Sequence, residues 1–468
     1  MLFPSLYNLY SDGLLPENFS ILASGRTTMD EGAFRDSIEK SLKAYLPAEQ
    51  QDVDRIATFL GMVSYCAVDV SEKASVQCLS DRMSSGNGGP VAVYLSTPPS
   101  LFAPTAQALA DAGLITGTTR IAMEKPIGTD LASSKVVNNA IGALFDEENI
   151  FRVDHYLGKE TVQNLLALRF GNMLFEPLWN ANAIEHVQIT VAETVGLEGR
   201  VSYYDGVGAL RDMVQNHMLQ ILSIIAMEAP ARLDSTAVRD EKVKVLRSLR
   251  KMDAATVGAS SVRGQYTPGA VGGEIVTGYA DELGKASNTE TFVALKAQID
   301  NWRWAGVPFY LRTGKRLPSR QSEILIQFKP VAHSIFGKGT NGARLEANTL
   351  VIRLQPEENI RLTIMAKEPG LDRDGVKLQE VDLDVSLVQA FEGARRRIAY
   401  ERLLLDLLEG DTTLFVRRDE VEAQWQWIDS IVNGWKDSGQ KAQSYAAGNW
   451  GPSSAIALIE RDGASWHD

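Results

Sequence analysis

The sequence predicts an α/β domain with a doubly wound, Rossmann-like parallel sheet, followed by an α+β domain with a large, mainly antiparallel sheet. Over residues 1 to about 154, short β-rich runs alternate with helical stretches, the pattern of a parallel sheet with helices on its faces. After Phe151 that alternation stops. Later runs instead alternate apolar and polar residues along themselves, as antiparallel strands with one covered face do.

In chain order, Phe19–Ala23, Met62–Val68, Val91–Leu95 and Arg120–Glu124 read as strands, and Glu31–Leu46 and Leu101–Gly113 as helices. Ligands of such sheets bind at the carboxyl ends of the strands. Ser24–Thr27, Ser96–Pro99 and Glu124–Gly128 are therefore expected around one crevice. Further on, a helix is expected from Gly158 to Leu168, a strand over Ile184–Glu193 and a long helix over Gly206–Met227. Gly258–Gly284 is rich in glycine and reads as a long loop region, a candidate lid. Ser322–Phe328, Thr349–Leu354 and Ile360–Ala366 read as strands, and Glu392–Leu408 as a charged amphipathic helix closed by Gly410. The domains are placed at 1–154 and 155–468.

The chain of 468 residues carries a net charge of -12, spread along its length. An acidic surface argues against general affinity for nucleic acid, and an anionic substrate would need a locally basic site. The two cysteines, Cys66 and Cys78, have neither a CxxC nor a metal-type spacing. They read as reduced thiols of a cytoplasmic protein. The opening stretch has no basic n-region and contains Pro4, unlike a signal peptide. No apolar run reaches the length of a membrane span, and no metal-ligand cluster stands out.

Five stretches carry candidate chemistry. In Arg152–Lys159, His155 and Lys159 are four apart and share a face at a helix start, with the Tyr156 hydroxyl beside them. This is either an anion cradle or a capped helix with a surface charge cluster. His217 lies on the apolar face of its helix, as a core histidine or a shielded general base. Glu124-Lys-Pro-Ile-Gly128 follows a strand, so Lys125 points into the strand-end crevice unless this is an ordinary loop. Arg26 ends an early strand where NAD-binding folds usually place an acidic residue. An arginine there suits the 2′-phosphate of NADP, or it is a solvated turn residue. Lys315 and Arg320 sit on a basic loop after a short strand.

Together these stretches resemble the glucose-6-phosphate dehydrogenase family, bacterial type. RVDHYLGKE (Arg152–Glu160) is similar to the family's substrate signature almost letter for letter. Leu168–Asn180, Asp212–Gln220, Val262–Tyr266, Val307–Leu317 and Ala399–Asp411 fit the same family in the same order. The resemblance implies His217 as the base that takes the C1 hydroxyl proton, and Asp154 as the carboxylate that orients it. It implies His155, Tyr156 and Lys159 as phosphate-binding residues. Lys125, Glu193, Asp212 and Lys315 are implied at the sugar hydroxyls, with Arg320 beside the same site. Arg26 is implied at the 2′-phosphate, and Thr97, Pro98, Glu124 and Lys125 near the nicotinamide.

The implied reaction oxidises glucose 6-phosphate to 6-phosphoglucono-lactone with NADP, NAD being a secondary acceptor. It opens the oxidative pentose phosphate pathway, the Entner–Doudoroff route being the other context. The implied assembly is a homodimer or homotetramer, with no membrane or nucleic-acid partner and no metal. Family members open with a strand and a GASGDL-type glycine loop, whereas Met1 stands at the start of the following helix. About 20 residues, including the sheet's first strand and its pyrophosphate loop, are thus expected to be missing. A misassigned start, which we favour, and a real truncation are the two explanations. Two alternatives to this enzyme stay open. One is another EKP-type sugar dehydrogenase. The other is a truncated, cofactor-deficient homologue that only binds sugar phosphate or pairs subunits.

Overall fold

A computed structural model describes residues 1–84, 89–197, 199, 201–336, 345–371, 376–393 and 395–468, with the backbone alone at 73, 74, 84 and 202. The chain folds into two compact units. The first comprises Met1–Glu160, Pro230–Arg239 and Arg396–Glu422, the second Thr161–Ala229, Asp240–Arg395 and Ala423–Asp468.

The parallel strands of the first unit form two sheets. β1 (Ile21–Gly25) pairs with β2 (Val63–Ala67), Gly25 lying opposite Ala67. β3 (Ala92–Leu95), β4 (Arg120–Met123) and β5 (Ile150–Arg152) form the other, with Leu95 opposite Met123 and Met123 opposite Arg152. The intervening helices start where short acidic side chains cap them. Asp30 and Asp52 accept from the N–H groups two and three residues on, opening Glu31–Tyr45 and Val53–Gly61. Asp130 and Ser133 cap Leu131–Gly142 reciprocally. Tyr7, Ile38, Leu42, Phe59 and Val63 form one buried apolar cluster beside β2.

Helix Ala399–Glu409 completes this unit. Asn8 Nδ2 donates to its buried Glu401 Oε1 at 2.8 Å, tying it to the N-terminal helix Leu2–Ser11. Arg120, at the start of β4, donates to the carbonyls of Leu407 and Leu408, and Gly410 (φ 87°) closes the helix. Of the helix expected from Glu392, residues 392, 393 and 395–398 do not enter it, and 394 lies outside the described residues. Gly393 takes φ 87°, outside helical geometry, and the helix opens only at Ala399.

The expectation of two reduced thiols does not hold. Cys66 lies on β2 and Cys78 on helix Lys73–Ser84, and the two form a disulfide with Cα atoms 6.6 Å apart. The chain leaves the strand, turns and returns as a helix packed against it. A separation of 12 residues carries no signal for that return.

The second unit is built on a nine-stranded sheet. Its strands are β6 (Ile184–Ala192), β7 (Ser261–Thr267), β10 (Phe292–Gln298), β11 (Pro308–Gly314), β12 (Gln321–Phe328), β13 (Thr349–Gln355), β14 (Asn359–Lys367), β15 (Leu378–Ser386) and β16 (Gln443–Ala446). The order is β15-β14-β13-β12-β6-β11-β10-β7-β16, antiparallel except for the β6–β11 and β7–β16 pairs. β8 (Gly269–Val271) and β9 (Glu274–Val276) form a separate hairpin.

Residues 258–284 are therefore not a long loop. They hold β7, this hairpin and helix Tyr279–Leu283. The glycines that suggested a loop do local work, with Gly272 and Gly273 turning the hairpin at φ 59° and 88°. Val262, Tyr266 and Tyr279 go into the core.

The expected helix over Gly206–Met227 is two windings in succession. Leu210–Met218 is a wide π-helix and Leu219–Ala226 an ordinary α-helix. Donors from elsewhere meet the carbonyls at its end. Arg169 reaches Ile224 (2.8 Å) and Met227 (2.9 Å), Trp179 reaches Ile225 (2.8 Å), and Trp304 reaches Ala226 (2.7 Å). The buried guanidinium also suits the negative end of the helix dipole. Among the described residues, no helix is long and apolar enough to cross a membrane.

His186 on β6 makes the stability of this unit depend on pH. It is 5% exposed, with Tyr310 edge-on at 5.7 Å, and burial pulls its pKa down to about 4 against a weaker opposing pull from Asp462. The unfolded chain takes up this proton near pH 6.5, whereas the folded one stays neutral down to about 4. Between those values the unfolded state binds more protons, so stability falls as pH falls. His186→Leu should flatten urea-unfolding free energies between pH 6.5 and 4.5 relative to wild type, by on the order of 2–3 kcal/mol. Parallel curves for the two proteins would refute this.

Candidate active site

In the first unit the candidate residues follow directly from strand ends. β3, β4 and β5 run parallel and finish level, so Thr97–Pro98, Glu124–Lys125 and Asp154–His155 leave one edge of that sheet. Val153 N–H, donating to Met123 O at 2.9 Å, extends the ladder to the start of this edge. Glu124 accepts from Tyr94 Oη at 2.5 Å and from Tyr400 Oη at 2.9 Å. Burial, followed by the Glu124 charge, pushes both phenols well above their ordinary pKa. They remain donors across the working pH range and hold the carboxylate in place. Of the three segments expected around one crevice, Ser96–Pro99 and Glu124–Gly128 lie side by side, whereas Ser24–Thr27 ends a strand of the other sheet.

The stretch after β5 is a turn, where a helix start was expected; the helix begins at Glu160. Asp154 sets that turn. Its Oδ1 accepts from Tyr156 N–H at 3.0 Å and its carbonyl from Leu157 N–H at 3.0 Å, the local bonding that lets aspartate replace a helical ladder. Lys159 N–H then bonds Tyr156 O at 3.1 Å, and Lys159 Nζ lies 3.4 Å from the Tyr156 ring centroid. His155 stacks on Tyr400 with ring centroids 6.3 Å apart. Asp154 and Tyr156 are buried, while His155 and Lys159 are part-exposed. The turn thus gathers an imidazole, an ammonium and a phenol, suitable donors for an anion. Gly158 permits the close passage, since a Cβ there would meet Ala399 O at 2.6 Å.

Arg26 is exposed after β1. Asp69, after the adjacent β2, is held below its usual carboxylate range first by Ser71 hydrogen bonds and in small part by Arg26. An exposed guanidinium at the carboxyl end of a parallel strand is a suitable phosphate partner for a dinucleotide. Thr97 and Pro98 are also exposed, open to a flat ring.

In the second unit β6 and β11 end together, Ala192 opposite Gly314. Their next residues form an ion pair, Lys315 Nζ to Glu193 Oε2 at 2.8 Å, with Lys315 6% exposed. β12 starts at the same edge, Gln321 opposite Ala192, so exposed Arg320 arrives there too. Tyr204 lies beneath, its ring centroid 5.3 Å from Lys315 Nζ. Burial, then the charges of Asp212, Glu290 and Glu193, keep its hydroxyl protonated. Asp212 and His217 both belong to the wide helix, and His217 is 1% exposed. On an ordinary 3.6-residue helix, side chains five apart diverge by about 140°. The wider winding narrows that angle, in line with the usual occurrence of such turns at functional sites.

Sequence reasoning missed Tyr94, Tyr400, Tyr204 and Glu290 as parts of these arrangements. Tyr400 lies inside the Ala399–Asp411 motif, and Tyr204 eight residues before Asp212, yet neither has a spacing that identifies its partner.

Two family models match this chain. "Glucose-6-phosphate dehydrogenase, NAD binding domain" covers residues 1–164 and "Glucose-6-phosphate dehydrogenase, C-terminal domain" covers 166–467. The chain is 56% identical to the glucose-6-phosphate 1-dehydrogenase of Zymomonas mobilis, spanning 100% of this chain and 96% of that protein. It is 51% identical to that of Rhizobium meliloti, spanning 100% and 94%. A solved glucose-6-phosphate dehydrogenase in complex with its substrate glucose-6-phosphate has a TM-score of 0.89 at 33% identity, covering 100% of this chain and 95% of that one. The Mycobacterium avium glucose-6-phosphate 1-dehydrogenase has a TM-score of 0.84 at 35% identity, covering 100% and 95%. The N-terminal family model matches from residue 1 and lends no support to the expectation of a missing first strand and glycine loop.

The Glu124 arrangement is open to a direct stability test. Glu124→Leu strands the Tyr94 and Tyr400 hydroxyls and should cost about 2–4 kcal/mol. Glu124→Gln keeps an acceptor and should cost less than half of that. Equal urea-unfolding free energies for the two variants would contradict this account.

Proposed function

The chain belongs to the glucose-6-phosphate dehydrogenase family, and we propose that it oxidises glucose 6-phosphate at C1 to 6-phosphoglucono-lactone, the opening step of the oxidative pentose phosphate pathway. The observation that carries this reading is the match of both family models, one after the other, along a single chain. A match of the NAD-binding model over residues 1–164 favours the enzyme over a module that only binds sugar phosphate. The nicotinamide, when bound, supplies the hydride acceptor.

We assign the residues as follows. His217 accepts the C1 hydroxyl proton, and Asp154 orients its imidazole and stabilises the charged form. Proton removal raises electron density at C1, so the C1 hydrogen leaves with its electron pair more readily; a positioned base of this kind contributes roughly 10²–10⁴ in rate. His155, Tyr156 and Lys159 hold the phosphate dianion. Glu193, Asp212, Lys315 and Lys125 receive the sugar hydroxyls, and Arg320 stands beside them. Charge-assisted bonds to the phosphate are worth about 1.5–3 kcal/mol each. That grip lies away from C1 and serves to orient the reacting end.

Arg26 takes the 2′-phosphate and so favours NADP over NAD. Thr97, Pro98, Glu124 and Lys125 border the nicotinamide. Residues 1–154 act as the dinucleotide-binding domain and 155–468 as the substrate and dimerisation domain of a cytoplasmic enzyme.

The second copy in a homodimer covers β15. On that edge strand Val381, Leu383 and Val385 recur on one face, each exposed by 43–49%, with Val388 and Phe391 following. An uncovered apolar edge strand is an aggregation hazard. Leu383→Lys should shift the assembly toward monomer by light scattering; an unchanged mass would refute the assignment.

The activity is tested by following reduced nicotinamide absorbance with glucose 6-phosphate and NADP or NAD, and NADP should be preferred. No reduction with either acceptor would end the reading. His217→Asn should bind substrate with unchanged affinity by calorimetry while kcat falls at least about 10²-fold. Near-normal turnover in that variant would remove the base assignment.

A further inference from the structure

The wide helix Leu210–Met218 begins without a cap of its own. The residues before it are Gly206-Val-Gly-Ala209, and none supplies a side-chain acceptor. The acceptors come from Glu290, 80 residues away, just before β10. Its backbone carbonyl accepts Ala209 N–H at 2.9 Å, and its Oε1 accepts Leu210 N–H at 3.3 Å. A carboxylate at this end also opposes the positive pole of the helix dipole. Gly208, at φ 72°, leaves the room this requires, because a Cβ there would collide with the Glu290 carboxylate.

Such an acid is costly to bury. Glu290 is 4% exposed, and burial raises its pKa while Arg263 and, less strongly, Arg211 pull it down. Arg263 Nη2 donates to Oε2 at 2.9 Å, and the guanidinium lies 4.6 Å from the Trp435 ring centroid. The Glu290 charge also reaches the Tyr204 hydroxyl, together with those of Asp212 and Glu193. Arg169, Trp179 and Trp304 fix the other end of the same helical run. A helix held at both ends by distant groups has little freedom to slide or rotate.

We propose that Glu290, braced by Arg263, is a positioning residue that fixes the entry of the wide helix and thereby aims Asp212 and His217 at the sugar. The proposal rests on the functional reading above. It adds a residue that binds neither substrate nor cofactor.

The test compares Glu290→Ala, Glu290→Gln and wild type by steady-state kinetics and hydrogen exchange. In Glu290→Ala, kcat should fall roughly tenfold or more, since displacements of about 1 Å can cost 10²-fold. KM for glucose 6-phosphate should change by less than about threefold. The primary isotope effect with 1-deuterated glucose 6-phosphate should rise, because misaimed hydride transfer becomes more limiting. Glu290→Gln keeps the Leu210 acceptor and should recover kcat to within about threefold. A pocket of about 260 Å³ lined by Asp205, Arg211, Arg263, Asn288 and Glu290 adjoins the carboxylate, so added acetate should restore part of the Glu290→Ala rate.

Unchanged kcat and isotope effect in Glu290→Ala would overturn the proposal. So would an activity loss of equal size in both variants that follows the fraction of unfolded protein. If Glu290→Ala does not fold, Arg263→Met reads the same coupling, and unchanged kcat there overturns it. Exchange at Leu210 should be faster in Glu290→Ala and not in Glu290→Gln. That readout needs no turnover, so it tests the cap even if the wild type fails to oxidise glucose 6-phosphate, a result that would strike the functional reading instead.

Discussion

The parallel pairing of β6 and β11 is the constraint on which the second unit depends. Most of its sheet is antiparallel, where neighbouring strands finish at opposite edges. These two finish together, Ala192 beside Gly314, so the chain delivers Glu193 and Lys315 to one place. Reversing β11 would carry Lys315 about 20 Å down the sheet. The ion pair follows from this register and is obligatory once formed, because a lysine buried to 6% exposure needs a carboxylate beside it. β12, running back, brings Arg320 to the same edge. One register choice thus concentrates polar groups that the sequence scatters over more than a hundred positions.

The first unit applies the same rule to a parallel sheet. β3, β4 and β5 end level, and the residues after each strand share an edge. Two tyrosines from distant positions then hold Glu124. The turn after β5 is shaped by Asp154, through its own backbone bonds, into a cluster of donors. A chain of net charge -12 thus still gathers donors for an anion at one place, because backbone geometry brings a few cations together locally.

The wide helix shows the cost of bringing side chains five residues apart together on regular structure. An α-helix would turn Asp212 and His217 away from each other. A π-winding brings them nearer at the expense of less favourable backbone geometry. Side chains from outside meet its start and the end of the α-helix that continues it, consistent with a conformation sustained by its surroundings rather than by local propensity.

Local periodicity made many of the strands legible. β1–β4 and the strands β12–β14 lie within two residues of where alternation and apolar runs place them, because those patterns record which faces are covered. The long motifs likewise let the family resemblance assign candidate site residues one by one. Glycine content misled over 258–284, since glycine marks turns between short strands as readily as it marks loops. Charge misled at 392, 393 and 395–398, which lie outside the helix, Gly393 taking φ 87°. The tertiary structure alone decided the Cys66–Cys78 bond, the π-winding, the tyrosine partners of Glu124 and the Glu290 clamp. Each joins residues whose proximity is set by how strands and helices pack, and no local periodicity or spacing encodes that distance.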